Sequence, residues 1–242
     1  MTRRYHRVQP QTSEANLHDA EPTLLLTRPE AQSKAFLNMC EARADRRLPV
    51  VISPLIRIEP VGDVPDLDRF ATLVVTSGNG VERLGAALAG RRVRTVGDRT
   101  AERARCFGAE AKALGENAEV FLHCANDLAG PLLVVRGVHA RGDLAGRLIA
   151  KGFEVEEAVI YDQVALPLSG AARGLLTGTS PVAAPVFSPR TAQLLSQNTV
   201  LAPLRVLAIS EAVAGAWSGA GQVRVAETPD AQAMCTLVME AF

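Results

Sequence analysis

Five junctions carry the side chains best suited to chemistry in this 242-residue chain. Each ends an apolar run and opens a helix-length stretch. They are Thr76-Ser77-Gly78-Asn79-Gly80, Gly97-Asp98-Arg99-Thr100, Arg136-Gly137, Ser188-Pro189-Arg190-Thr191 and Ser210-Glu211. Serine suits a helix cap and proline its first turn. Free N–H groups and the helix dipole make such a start attractive to anions. In open α/β sheets, ligands bind outside the carboxyl ends of the strands, where these junctions fall. The chemistry implied is the binding of a small anionic molecule. The same residue types are also ordinary caps and turns, so one junction alone decides nothing, whereas several facing one cleft would. Tyr161, one of two tyrosines, either donates a proton into a cleft or packs at a domain junction. His139 and Arg141 are either anion contacts or exposed loop. Asp98 and Asp143 read as surface or cap carboxylates, and Glu156-Glu157 as a solvated pair.

Other chemistries lack their signatures. The chain has no GxxxxGK[ST] phosphate loop, no GxGxxG fingerprint and no GxSxG elbow. Its four cysteines (Cys40, Cys106, Cys124, Cys235) form no CxxC, and its histidines show no ligand spacing. A zinc site or disulfide framework is therefore not expected, and free buried thiols in a reducing cytoplasm are. Lys+Arg and Asp+Glu both number 26, which argues against a whole-molecule field for nucleic acid. Three cations are lysines and 23 are arginines. That bias reflects either genome composition or planar recognition of anionic groups. No apolar run reaches the ~18 residues of a membrane span. Residues 1–21 are polar, without a signal-peptide apolar core, and read as a flexible extension.

The elements that must position these residues alternate. Apolar runs at 23–27, 50–52, 72–76, 93–96, 132–135, 155–160, 185–187 and 205–209 read as strands. Helical spacing follows several of them: after Arg28, through Leu84 and Leu88, and from about Thr100. This alternation predicts parallel sheets in an α/β class. The chain also repeats itself in order. Leu-Leu-Leu-Thr-Arg28 resembles Leu-Leu-Val-Val-Arg136, Val-Val-Thr-Ser77 resembles Pro-Val-Phe-Ser188, and Val-Gly97-Asp resembles Ile-Ser210-Glu. The paired residues lie roughly 110 positions apart, far beyond the ~20–50-residue period of a solenoid. Two similar α/β domains are expected. Extended, proline-ended stretches at Pro54–Pro60 and Tyr161–Pro167 are candidate crossings between them. The repeat does not say whether the domains are consecutive or exchanged.

The ordered set Thr27-Arg28-Pro29, Thr76-Ser77-Gly78-Asn79-Gly80-Val81, Val96-Gly97-Asp98-Arg99-Thr100-Ala101, Arg136-Gly137, Tyr161, Phe187-Ser188-Pro189-Arg190, Ile209-Ser210 and Glu227-Thr228-Pro229 resembles the uroporphyrinogen-III synthase family over about residues 23–240. The resemblance implies two flavodoxin-like parallel-sheet domains joined by a two-stranded linker. The first would be residues 22–54 plus 166–242 and the second 57–160, with crossings at 55–56 and 161–165. It also implies conversion of hydroxymethylbilane to uroporphyrinogen III in the inter-domain cleft, with loss of water, inversion of ring D and a spiro intermediate. No cofactor or metal is implied. By this resemblance Tyr161 is the proton donor. Arg28, Thr76, Ser77, Asn79, Gly97, Thr100, Asn117, Arg136, Gly137, Ser188, Arg190 and Ser210 would hold the eight substrate carboxylates. Asn117 belongs to a Gly115…Asn117-Ala118-Glu119 turn. Ala212-Val213 stand where the family often has two hydroxyl residues, and Ala44-Asp45 where a glycine is usual. The expected setting is a cytoplasmic monomer supplied by hydroxymethylbilane synthase, with no nucleic acid or membrane partner.

Two rivals remain at this point. One is a non-catalytic two-domain binder of an anionic small molecule, against which the missing signal peptide argues. The other is an inactive regulatory relative, against which Tyr161 and the hydroxyl-bearing junctions argue.

Overall fold

A computed structural model describes residues 21–140 and 142–242. Residues 1–20 of the expected extension and Arg141 lie outside the described residues. Glu21 is ion-paired with Arg46 at 2.5 Å.

The described chain contains, in order, β1 (Thr23–Leu26), α1 (Glu30–Ala44), β2 (Val50–Ile52), β3 (Ile56–Pro60), β4 (Thr72–Val75), α2 (Gly78–Leu84), β5 (Arg92–Val96), α3 (Asp98–Cys106), β6 (Glu110–Gly115), α4 (Ala118–His123), β7 (Leu132–Gly137), α5 (Leu144–Ala150), β8 (Val155–Ala165), α6 (Gly170–Thr177), β9 (Val182–Val186), α7 (Pro189–Ser196), β10 (Leu204–Ala208), α8 (Glu211–Ala214), β11 (Gln222–Val225) and α9 (Ala231–Met239). They form two compact units. The first takes in the chain up to Ile56 and returns for Ala165–Phe242, and the second is Arg57–Val164. The domains are thus exchanged, not consecutive.

In the first unit the strand order is β11-β10-β9-β1-β2, and the pairings are parallel. Numbered along the unit this is the 2-1-3-4-5 order of the flavodoxin-like sheet. Leu24, Leu25 and Leu26 are successive, yet none exceeds 1% exposure. Side chains alternate across a strand, so both faces of β1 are covered. Asp45, at the end of α1, adopts a left-handed conformation with φ 51°. That is a position that favours glycine, and here aspartate takes it.

In the second unit the order is β3-β8-β7-β4-β5-β6. Apart from β3 it repeats the first sheet strand for strand. β7 stands where β1 does, and β4, β5, β6 and β8 correspond to β9, β10, β11 and β2. The three sequence matches fall on equivalent strand ends, with the chain order circularly permuted. Alternation divides the core in two. Leu73, Val75, Leu133 and Val135 join one cluster with Val81 and Leu84 of α2. Val74, Leu132 and Val134 join the other with Phe121 and Leu122 of α4 and Leu148 of α5.

Several expectations are corrected. β6 and β11 were not anticipated. The stretch 161–165, where the second crossing is expected, is the end of strand β8, and the chain changes unit between Val164 and Ala165. The helix expected through Leu88 stops at Leu84, because Gly85 takes φ 52° and a tighter 3₁₀ turn follows over Gly85–Leu88. Helix α3 begins at Asp98, two residues before Thr100. Only Cys40 and Cys235 are buried thiols, while Cys106 and Cys124 are exposed. Burial and the neighbouring Cys235 push the Cys40 thiol up. No helix among the described residues is long and apolar enough to cross a membrane.

Candidate functional site

Each sheet reverses its winding at one place: between β7 and β4 in the second unit, and between β1 and β9 in the first. Loops leave such a switch point in opposite directions and open a crevice at the strand ends. In the second unit that crevice is a pocket of about 340 Å³. Thr76, Ser77, Arg136 and Tyr161 line it, together with Val96, Val134, Leu144, His139, Glu157 and Gln163.

Its centre is a hydrogen bond. Tyr161 Oη lies 2.7 Å from Ser77 Oγ. Ser77 also caps α2, its Oγ accepting the Gly80 N–H at 3.3 Å. The cap fixes the serine, and the serine fixes the phenol. Tyr161 is only 5% exposed.

A register shift in β8 produces this contact. Arg136 lies opposite Val159, but Gly137 lies opposite Tyr161, so Ile160 is an inserted residue. In strict alternation Ile160 and Tyr161 would point to opposite faces. Both instead join the cluster shared with Val81 and Val135. A bulge re-aims a side chain in this way. The ring then lies over Gly137: a Cβ there would sit 2.4 Å from Tyr161 Cε2. Gly137 gives the ring its room.

Arg136 points to the other face, beside Val134 and Glu157. Its Nη2 pairs with Glu157 Oε1 at 2.7 Å, and its Nη1 donates to the Gly137 carbonyl at 3.0 Å. The bonded Glu157 carboxylate holds the Arg136 guanidinium above its ordinary value despite partial burial. His139 Nε2 lies 3.2 Å from Asp162 Oδ1. Glu156 and Glu157 are both solvent-exposed, as expected, but each also has an arginine partner: Glu156 pairs with Arg69, and Glu157 lines the pocket beside Arg136.

The remaining predicted residues divide between the units. Asn79 is half-buried in the first turn of α2. Gly97 opens α3 with φ 83°, its N–H donating to the Gly115 carbonyl at 2.7 Å, and Thr100 is half-buried in the same first turn. Asn117 spends its carboxamide oxygen on capping α4, accepting the Val120 N–H at 3.0 Å. Asp143 caps α5, accepting the Gly146 N–H at 2.9 Å. In the first unit Arg28, Ser188, Arg190 and Ser210 stand after β1, β9 and β10, three neighbouring strands. The Arg28 guanidinium stacks on Phe187 at 4.2 Å and donates to Gln32. Ser188 caps α7 and pairs with Thr191 Oγ1 at 2.8 Å. Ser210 stands at the start of α8 without a capping bond. The Thr27 hydroxyl, buried at the end of β1, has no hydrogen-bond partner among the described residues.

Sequence reasoning missed Glu157, Gln163 and Asp162. The signal available for Glu157 was its place on a strand beside Arg136, which needs the pairing register to read.

A profile of the family described as uroporphyrinogen-III synthase HemD matches residues 41–236. None of the curated proteins compared with the chain matches it. Among solved structures, uroporphyrinogen-III synthetase from Helicobacter pylori 26695 is similar at 15% identity and TM-score 0.63, covering 92% of this chain and 100% of that one. A mutant uroporphyrinogen III synthase from the extremely thermophilic bacterium Thermus thermophilus is similar at 15% identity and TM-score 0.54, covering 91% and 98%. These two likenesses establish the fold. The profile spans most of the chain and extends over both units, and by it the chain belongs to the uroporphyrinogen-III synthase family.

Proposed function

We propose that the pocket beside Ser77 and Tyr161 is where this enzyme ionises its substrate, with Tyr161 as the acid. The activity is that of the family: a hydro-lyase step of tetrapyrrole biosynthesis that cyclises hydroxymethylbilane to uroporphyrinogen III. The observation that carries the site assignment is the buried phenol, held 2.7 Å from a helix-capping serine at the switch point.

The C–O bond of the hydroxymethyl group breaks and its electron pair leaves with oxygen. Tyr161 gives its proton to that oxygen, so water departs. An azafulvenium cation remains, its charge shared with the pyrrole nitrogen. The substituted carbon of ring D attacks the cation and forms the spiro intermediate. Fragmentation and reclosure at the free carbon invert ring D. The proton shed on reclosure restores the phenol. Uncatalysed closure gives the uninverted isomer, so much of the enzyme's work is orientation. A pocket of about 340 Å³ is at the low end of the ~300–1,000 Å³ of small-molecule sites. It takes one substituted ring, not a whole tetrapyrrole.

The substrate's carboxylates are assigned to the strand ends. In the first unit these are Arg28, Ser188, Arg190 and Ser210. In the second they are Thr76, Asn79 and the helix starts at Gly97, Thr100 and Asn117, where backbone N–H groups supply the contacts. The active species is read as a monomer. Because the substrate closes by itself, the setting that suits the enzyme is the cytoplasm, beside hydroxymethylbilane synthase.

Tyr161→Phe keeps the ring and removes the proton. Its kcat should fall roughly 100-fold, the low end of the ~10²–10⁴-fold range for a positioned acid, with KM little changed. Initial rates with fresh hydroxymethylbilane test this, and an unchanged kcat would remove Tyr161 as the acid.

A further inference from the structure

The pocket at the β7/β4 switch point is electrically unlike a carboxylate site. Arg136 is paired with Glu157 at 2.7 Å, and His139 lies 3.2 Å from Asp162. Among the described residues, the arginine and the histidine on its wall thus each already have a carboxylate partner, and they offer no surplus positive charge to a substrate carboxylate. The rest of the wall includes Val96, Val134 and Leu144, which suits the face of a flat ring. A pyrrole is such a ring, and its one polar atom is an N–H donor.

Glu157 is placed to meet that donor. Its side chain is 33% exposed. Oε1 is the oxygen bonded to Arg136, which leaves Oε2 for a second donor. Glu157 lies opposite Val134 across the β7–β8 pairing, so it shares the face of Arg136. The bulge at Ile160 turns Tyr161 to the opposite face. Phenol and carboxylate therefore reach the strand ends from two sides, and the carboxylate does not compete for the phenol's proton.

We infer that Glu157 is a catalytic residue of the ionisation step: its carboxylate accepts the N–H of the pyrrole bearing the hydroxymethyl group and stabilises the positive charge that develops there. This rests on the reading of the pocket given above. The C–O electron pair leaves with oxygen, Tyr161 supplies the proton that makes it water, and Glu157 stays ionised and takes no proton. Arg136 holds the carboxylate in place before the charge appears, so little reorganisation is needed when it does. The attraction grows as the bond breaks, which makes it an effect on kcat rather than on substrate binding.

Glu157→Gln keeps the shape and removes the charge. With hydroxymethylbilane made in situ, kcat should fall at least about tenfold while KM stays within about twofold, less than the 10²–10³ of an enclosed oxyanion hole. In Glu157→Ala, added formate should restore part of the lost kcat. An unchanged kcat in the Gln variant overturns the inference. With KM unchanged, Glu157 would only be a structural partner of Arg136. With KM lowered, it would guard Arg136 against a substrate carboxylate. Absence of formate rescue in the folded Ala variant contradicts it as well, and keeps the test decisive should the Gln variant not fold. If the wild-type protein makes isomer III and these results fail, only this inference falls. If the wild type makes isomer I alone, the cyclase reading falls with it.

Discussion

Gly137→Ala is expected to lower kcat about 100-fold, the loss that a displacement of about 1 Å at a reacting group can cause. The added methyl would sit 2.4 Å from Tyr161 Cε2 and 2.5 Å from Cζ. Neither side can yield easily. Gly137 is a residue of β7, and Tyr161 is fixed from behind by the buried cluster and at its tip by Ser77. The ring must therefore swing away and break its bond to Ser77. Overpacking of this kind costs ~1–3 kcal/mol of stability, too little to unfold the protein. The variant should remain folded, with a modestly lowered melting temperature and a collapsed kcat. Its effect should largely vanish when Tyr161 is already alanine, because the two residues act through one contact. Full activity in Gly137→Ala would show that the phenol's position does not matter.

Phe121→Ala is expected to be the most destabilising of the substitutions considered. Phe121 is 0% exposed and sits in the cluster with Val74, Val134 and Leu148. It anchors α4, a helix of six residues that has little stability of its own. Phenylalanine-to-alanine truncation in a packed core costs ~3–5 kcal/mol, a large share of the ~5–15 kcal/mol that holds a domain folded. A fall in melting temperature of roughly 10 °C or more should follow. Activity should fall too, because Ala118 of α4 and Val134 beneath it line the pocket. A shift of only a degree or two would mean that α4 is not held by this side chain.

The strands that stand out most clearly in the sequence are those buried on both faces. β1, β4, β7, β9 and β10 occupy the middle of the two sheets and read as mainly apolar runs, with Arg205 and Arg136 the charged residues in them. β6 and β11 each form one edge of a sheet, at the end away from β3 and β2. With one neighbour each they carry Glu110, Lys112 and Arg224, the charges by which edge strands avoid further pairing. The same charges hide them from a search for apolar runs. The exchanged topology was equally hidden, because a repeat of roughly 110 residues fits consecutive and interleaved domains alike.

The site was legible in its residue types and not in its geometry. Ser77 and Tyr161 stand out as a cap and a rare phenol, but 84 positions separate them. What joins them is one inserted residue, Ile160, and nothing about an isoleucine in an apolar strand announces a bulge. Gly137 reads in the sequence as part of an anion loop, and nothing there shows that an aromatic ring also lies where its side chain would be. Arg136 looked free to take a carboxylate, and the chain supplies that carboxylate itself through Glu157. In Glu156-Glu157 the two residues are chemically identical, and only the pairing register tells which of them enters the pocket.

The central claim is that this chain directs hydroxymethylbilane through inversion of ring D. The most direct measurement supplies the bilane continuously from hydroxymethylbilane synthase, oxidises the products and separates the porphyrin isomers. Predominantly isomer III, in proportion to the amount of this protein and faster than spontaneous closure, is the result expected. Isomer I alone, formed at the spontaneous rate with folded protein present, would contradict it.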